Sequence, residues 1–320
     1  MKCFNLPGFN DHLQLNLFMI RLYREHKDWF LDDVKITSIF GNFHFCPWDG
    51  GRNFPNYNQC TKEDVITIRD AYNDYGIPLR LVFTNPVLEE KHLHDRFCNM
   101  ILRELHNGMN EVCVNSDLME NYIKENYPNY KLISSTTKRL TKEEDILKEL
   151  DNDSYYQICF DYDVNKNMKL LESIPKEKRH KFEFLSNAIC HPGCPIRKQH
   201  YAWTGQSQLT FLRDKYDMMR KCSITEGICH PDILGKGNNL SNEDIDKYHK
   251  MGYKYFKLEG RTMPSGVMLS CYLYYLIKPE CYFEVLAKAC EIEGIFVNDS
   301  NGFFRGEVHT PRYYHVSKGD

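Results

Sequence analysis

Short apolar runs rich in β-branched and aromatic residues alternate along the chain with longer stretches of helical periodicity. Eight of these runs have the length and composition of strands, and amphipathic segments fill most of the intervals between them. Strands are predicted at 2–6, 34–41, 79–85, 111–116, 131–136, 155–161, 181–187 and 254–260. Helices are predicted at 13–30, 61–75, 89–107, 117–126, 141–150, 166–174 and 241–251.

Capping signals mark several of the predicted helix boundaries. Thr61, Thr141 and Ser241 each precede a helical segment and have an acidic residue three positions later, the carboxylate form of a capping box. Left-handed C-caps are predicted at the glycines that follow three of the helices, Gly76, Gly108 and Gly252.

The repeated order of strand, helix and strand predicts a TIM-like (β/α)8 barrel, because parallel strands need crossover connections. An open doubly wound sheet is the main alternative, but no G-x-G-x-x-G follows the first strand. We expect one domain over residues 1–320, with a cysteine-bearing insertion at 188–253 between strands seven and eight. Residues 262–320 are expected to form closing helices and a tail.

Composition narrows the class of protein. The net charge is −3 and the pI is about 6.5, so no global basic field attracts nucleic acid, although RNA binding is not excluded. Thirteen scattered cysteines fit a reducing cytosol better than a disulfide scaffold. The N-terminus offers no signal-peptide core, and no run approaches the roughly 18 apolar residues of a membrane span. We therefore expect a cytoplasmic protein.

Nearly every predicted strand ends in polar residues. In a barrel these ends converge on one face, which is where active sites of this fold lie. Asn and Asp are also common turn residues after strands, so the collective pattern is more informative than any one member. It predicts a pocket lined by Asn85, Asn115, Asp161 and Asn187.

Two cysteines, Cys190 and Cys194, lie in a Pro/Gly turn directly after an apolar run that resembles a buried strand. Gly193 permits a tight backbone in which both thiolates aim at one ion. The spacing therefore suggests a metal site, and the alternative is two reduced thiols in a loop.

Further ligands are available elsewhere in the sequence. Cys229 lies in the same insertion, and Cys46 follows strand two, from which it can meet the pair at the barrel face. Four thiolates suit either a [4Fe-4S] cluster or a structural zinc. Cys222 competes for the fourth position, and a nearby histidine in place of one cysteine favours zinc; the candidates are His191, His200 and His230.

The segment KYFKLEGR, residues 254–261, alternates apolar and charged positions. Phe256 and Leu258 lie on one face of the last strand and Lys257 and Glu259 on the other, so the charge inside a barrel must be paired or serve a ligand. Glu259 and Arg261 are expected at the mouth, with a structural salt bridge as the alternative.

The segment 46–60, CPWDGGRNFPNYNQC, is predicted to form an adaptable loop after strand two. Its paired glycines, flanked by Asp49 and Arg52, offer backbone amides to an anion, and Trp48 and Tyr57 offer stacking faces. This loop is a weak candidate for contact with substrate.

The eight-stranded pattern, the last strand FKLEGR and the segment CHPGCP resemble the peptidase U32 family, in which F-K-[IL]-E-G-R recurs. The resemblance covers roughly residues 1–275 and implies a TIM-like barrel. In several branches it also implies four cysteines that hold a [4Fe-4S] cluster. Those branches include paired proteins of oxygen-independent ubiquinone hydroxylation and enzymes that hydroxylate tRNA or ribosomal RNA bases.

The leading hypothesis is therefore an iron–sulfur protein that hydroxylates a small molecule or nucleobase without oxygen. Its expected cluster ligands are Cys46, Cys190, Cys194 and Cys229. Its expected catalytic residues are Glu259, Arg261 and Asp161, and its expected substrate contacts are Asn85, Asn115, Asp49, Arg52 and Asn187. One alternative is a zinc-dependent, peptidase-like hydrolase. Another is a non-catalytic, cluster-bearing subunit that works with a second U32-like barrel.

Overall fold

The computed structural model describes residues 1–50, 59–188, 190, 192–210 and 237–292. Eight parallel strands close into a barrel in chain order, with the last strand paired to the first. The strands are β1 (Lys2–Pro7), β2 (Val34–Gly41), β3 (Leu79–Phe83), β4 (Glu111–Val114), β5 (Lys131–Ser134), β6 (Tyr155–Cys159), β7 (Phe182–Leu185) and β8 (Tyr255–Lys257). The predicted TIM-like barrel is confirmed.

Helices occupy the predicted crossovers, and two more follow β8. Their bounds are α1 (Leu13–Glu25), α2 (Lys62–Asn73), α3 (Arg96–Leu105), α4 (Asp117–Asn126), α5 (Glu143–Leu150), α6 (Met168–Ser173), α7 (Arg197–Thr210), α8 (Asn242–Lys250), α9 (Ser265–Leu276) and α10 (Tyr282–Cys290). Within the described part of the chain, no helix combines the length and apolarity that a bilayer crossing requires.

The cap predictions were mostly correct. Thr61 and Ser241 begin α2 and α8 with complete capping boxes. The prediction that Thr141 caps α5 was wrong. Lys142 occupies the N-cap position instead, and its side chain makes no capping hydrogen bond. The three glycines predicted as C-caps all have positive φ.

The core lies between the outer face of the barrel and the helices. Alternate strand residues point outward into it, including Phe4, Leu6, Phe256 and Leu258, each at most 1% exposed. The apolar face predicted for the last strand is thus buried against the helices. Lys257 lies on the opposite face of this strand, which is the face toward the barrel interior.

The barrel interior contains a buried charged network in place of an all-apolar filling. Arg80 on β3 donates to Glu111 at 2.7 Å and to Glu183 at 2.6 Å, and it also donates to the side-chain amide oxygen of Gln157. Asn5 donates to the same Glu183 carboxylate. Burial alone would raise the pKa of Glu183, but the charges of Arg80 and Lys257 hold it below its ordinary value.

Candidate functional site

The first two strands bring an acid and a histidine together at the barrel mouth. Asp11 follows β1 and His44 follows β2, and because these strands are parallel neighbours their carboxyl ends lie side by side. The Nε2 atom of His44 lies 3.0 Å from Oδ1 of Asp11. The His44 side chain is 7% exposed and that of Asp11 is 20% exposed, so the pair lies beneath the surface.

The environment keeps Asp11 ionised. Burial alone would raise its pKa, but the hydrogen bond with His44 and the positive charges of His44, His12 and Arg261 bring the pKa below its ordinary value. An ionised carboxylate bonded to Nε2 fixes the imidazole ring and stabilises its protonated form. The geometry is that of a histidine base with a positioning carboxylate.

A second ion pair joins the loops after β2 and β8. Arg261 Nη1 donates to both carboxylate oxygens of Asp49, at 2.8 and 3.0 Å, and Nη2 donates to the Gly50 carbonyl at 3.0 Å. Burial raises the pKa of Asp49, and Arg261 opposes that rise. Arg261 was predicted to be catalytic, with a structural salt bridge as the alternative, and its partner Asp49 was predicted to bind substrate. The structure shows the salt bridge, and both predicted roles stay predictions.

Gly260 sets the path of the chain into Arg261. Its φ is +141°, and a β-carbon there would lie 2.1 Å from the Met268 sulfur. The backbone conformation strongly favours glycine here, and a β-carbon would also force the Met268 side chain to move. The backbone conformation at this position therefore explains the glycine in the KLEGR segment.

Asp161 and Asp163, just after β6, bind two arginines. Asp161 bonds Arg139 at 3.0 Å and Arg197 at 2.9 Å, and Asp163 contacts the same two guanidinium groups. Asp161 is 1% exposed and also accepts from the Asp163 backbone amide at 2.9 Å. Both oxygens of Asp161 are thus engaged in a charged network, and its predicted catalytic role stays a prediction.

The same network holds the Cys190–Cys194 loop. The Gly193 amide donates to Asp163 at 3.0 Å, and Arg139 donates to the Cys194 carbonyl at 3.3 Å. Gly193 has φ +63°, the conformation expected for the tight turn. Both cysteines are partly exposed in this clamped loop.

Cys46 does not join that loop. It is fully buried in the main core, and its sulfur lies 3.1 Å from that of Cys98 on α3. The pKa of the Cys98 thiol lies well above its ordinary value, mainly because the thiol is buried and also because Cys46 is its neighbour. Cys46 thus occupies the core-hydrophobe role that buried cysteines commonly take.

The described residues contain only part of the predicted metal centre. In the ranges that the structure covers, no three His, Cys, Asp or Glu side chains are gathered closely enough to hold a metal ion. Two of the four predicted thiols, Cys190 and Cys194, share a loop, whereas Cys46 lies in the core. The other candidates lie outside the described residues, namely Cys229, Cys222, His191 and His230.

The predicted asparagines connect loops at the mouth. Asn85 donates to the Pro47 carbonyl at 2.8 Å and to the Gly205 carbonyl at 3.1 Å, which fixes α7 against the loop after β2. Asn115 donates to Thr137 at 2.6 Å. These bonds give both amides structural roles.

Asn187 bonds the backbone of Glu259 at both its carbonyl and its amide, at 2.9 and 2.6 Å. This two-point contact joins the ends of β7 and β8 and places the half-buried Glu259 at the mouth. Arg52, the last predicted substrate contact, lies outside the described residues.

Neither Asp11 nor His44 was predicted from the sequence to be a site residue. His44 stands at a strand end, but nothing in the sequence pairs it with a residue 33 positions earlier. The interior network could have been predicted from the sequence, because Arg80 and Glu183 are charged residues within the apolar strands LRLVF and FEFL.

Comparison with known proteins gives one informative result. No protein-family model matches the chain, and no curated protein matches it. Among solved structures, the chain is similar to one described as the U32 peptidase Mk0906, at 14% sequence identity and a TM-score of 0.51. The match covers 82% of this chain and 94% of that chain.

The chain has the fold of this U32 peptidase. The fold relationship expected from the FKLEGR segment is thereby confirmed. At this level of identity the relationship concerns the U32 fold, and the chemistry must be argued from the chain's own residues.

Proposed function

We propose that this U32-fold protein is a hydrolytic enzyme that acts at the barrel mouth, with His44 as general base and Asp11 as its positioning residue. The observation that carries the proposal is the 3.0 Å contact between His44 Nε2 and the Asp11 carboxylate. The contact lies at the carboxyl ends of the strands, where enzymes of this architecture carry their active sites.

The proposed step is proton abstraction from a water molecule. The Asp11 carboxylate orients the His44 imidazole, and the imidazole accepts the proton of the water molecule. The water oxygen then attacks the carbonyl carbon, and the protonated ring, stabilised by the Asp11 carboxylate, returns the proton to the leaving group. Arg261, oriented by Asp49, places a positive charge near the pair that supports developing negative charge on the carbonyl oxygen.

A covalent cysteine mechanism has less support. Cys60 is the thiol near this pair, and its sulfur is bonded by the Asn10 amide at 3.8 Å. Burial raises the pKa of Cys60 to about 12, so the thiol stays protonated and is a poor nucleophile. Attack by activated water therefore fits the residues better.

Peptides are the proposed substrate class. The description of the similar structure as a peptidase supports amide hydrolysis on this fold. The hydroxylation implied by the resemblance depends on a four-cysteine set, and the described residues bring only Cys190 and Cys194 into one loop.

The test is exposure of the purified chain to a mixed peptide library, with mass spectrometry of newly formed termini. We expect cleavage by the wild type and a loss of about 100-fold or more in kcat for His44→Gln, with KM little changed. Asp11→Asn should lower kcat less, because the imidazole ring loses the carboxylate that orients it.

His94→Gln is the control, because His94 is an exposed histidine away from the pair. Its activity should equal that of the wild type. Absence of cleavage products with the wild type, or full activity in His44→Gln, would reject the proposal.

A further inference from the structure

Lys257, the last residue of β8, is largely buried, but its Nζ atom is reached by solvent and makes no hydrogen bond to the described residues. The residue is 6% exposed, and its Nζ lies 4.0 Å from the centre of the Phe40 ring. Nζ makes this ring contact, but it forms no hydrogen bond or ion pair with any of the described residues. An ammonium carries three donors, and an aromatic face satisfies none of them as a hydrogen-bond acceptor would.

The charged network beneath Lys257 does not engage it directly. Arg80 and Asn5 bond the Oε1 atom of Glu183, while Oε2 is buried without a partner. Lys257 influences Glu183 through its charge, yet the two groups do not form an ion pair. A lysine that served only to neutralise Glu183 would be expected to contact this unbonded oxygen.

Strand register explains why Lys257 stays apart from the network. In the pairing of β7 with β8, Tyr255 lies opposite Glu183, and Lys257 lies opposite Leu185, one inward-facing layer closer to the carboxyl ends. Glu259 follows on the same side of the chain. Lys257 therefore lies between Glu183 and the carboxyl-terminal mouth of the barrel.

We infer that Lys257 is the binding point for an anionic oxygen, a carboxylate or a phosphate, on a small ligand that enters the barrel mouth. The ligand oxygen supplies the hydrogen-bond acceptor that the described residues do not give Nζ, and it forms a charge-assisted hydrogen bond with the ammonium group. The inference rests on the proposed location of the active site at the mouth, but it concerns binding and is independent of the hydrolytic step.

The test is calorimetric titration of the full chain at low ionic strength with malonate and, separately, with inorganic phosphate. We expect wild-type protein to bind at least one of them and Lys257→Met to bind at least tenfold more weakly. Lys257→Arg should retain binding, because it keeps the charge and the donors. Preference for malonate or for phosphate identifies the anionic group.

Lys131→Met is the matched control, since Lys131 also lies over an aromatic ring, that of Tyr156, but at the amino end of β5. It should bind like the wild type. If neither anion binds, or if Lys257→Met binds as tightly as the wild type, the inference fails. His44→Gln should bind normally, so loss of hydrolysis and loss of binding are separate outcomes.

Discussion

The sulfur atoms of Cys46 and Cys98 lie 3.1 Å apart in the core, where both residues are fully buried. This contact connects the loop after β2 to α3. It gives Cys46 a packing role and separates it from the half-exposed cysteine loop after β7.

We therefore predict that Cys46→Ala lowers the free energy of unfolding by about 1 kcal/mol, since it removes one buried atom and leaves a small cavity. Urea denaturation measures the change. Cys290→Ala, at an exposed position, should be neutral. Metal content of the purified protein should be the same in Cys46→Ala and wild type, and a selective loss of metal in the variant would restore Cys46 as a ligand.

Arg80 is the centre of the interior network. Arg80→Met leaves Glu111 and Glu183 buried without their cation, so we expect a loss of about 3–5 kcal/mol in the free energy of unfolding. Chemical denaturation checks this value.

The control for Arg80 is Lys62→Met. Lys62 is 55% exposed and pairs with Glu104 at 2.9 Å, so its loss should cost less than about 1 kcal/mol. Equal effects of the two variants would mean that the interior network contributes no more than a surface pair.

Asp163 fixes the cysteine loop through the Gly193 amide, Arg197 and Asn238. In Asp163→Ala we expect the Gly193 amide to exchange its hydrogen at least about tenfold faster, because it loses a charged acceptor. Hydrogen exchange resolved by NMR measures this. Asp153→Ala, whose side chain is fully exposed, should leave the rate unchanged; an unchanged rate in Asp163→Ala would show that other contacts hold the loop.

The strand pattern was enough to predict the barrel, because the alternation of buried runs and amphipathic helices survives in the sequence whatever the loops do. The strand ends were less accurate. Asn85, Asn115 and Asn187 were included in strands, whereas the structure places them just beyond, where their amides bond neighbouring loops. A period-two pattern does not distinguish the last strand residue from the first loop residue.

The site was harder to predict for a different reason. A buried cysteine is a common core residue and also a metal ligand, so sequence spacing alone did not separate these roles for Cys46. Asp11 and His44 become neighbours only through the pairing of β1 with β2, and Asp49 meets Arg261 only because the barrel closes. Such contacts depend on tertiary structure and leave no local signal.

The depressed pKa of Glu183 predicts that stability falls with acidification. Burial raises this pKa, but Arg80 and Lys257 lower it below the ordinary value of 4.5, so the ionised carboxylate favours the folded state. That contribution is complete above the unfolded pKa and is lost as pH falls through the folded pKa. The free energy of unfolding, measured in urea from pH 7 downward, should decrease below about pH 5. Glu183→Gln should show a shallower decrease, whereas Asp32→Asn, at a largely exposed carboxylate, should follow the wild type. Parallel curves for Glu183→Gln and wild type would contradict the assignment.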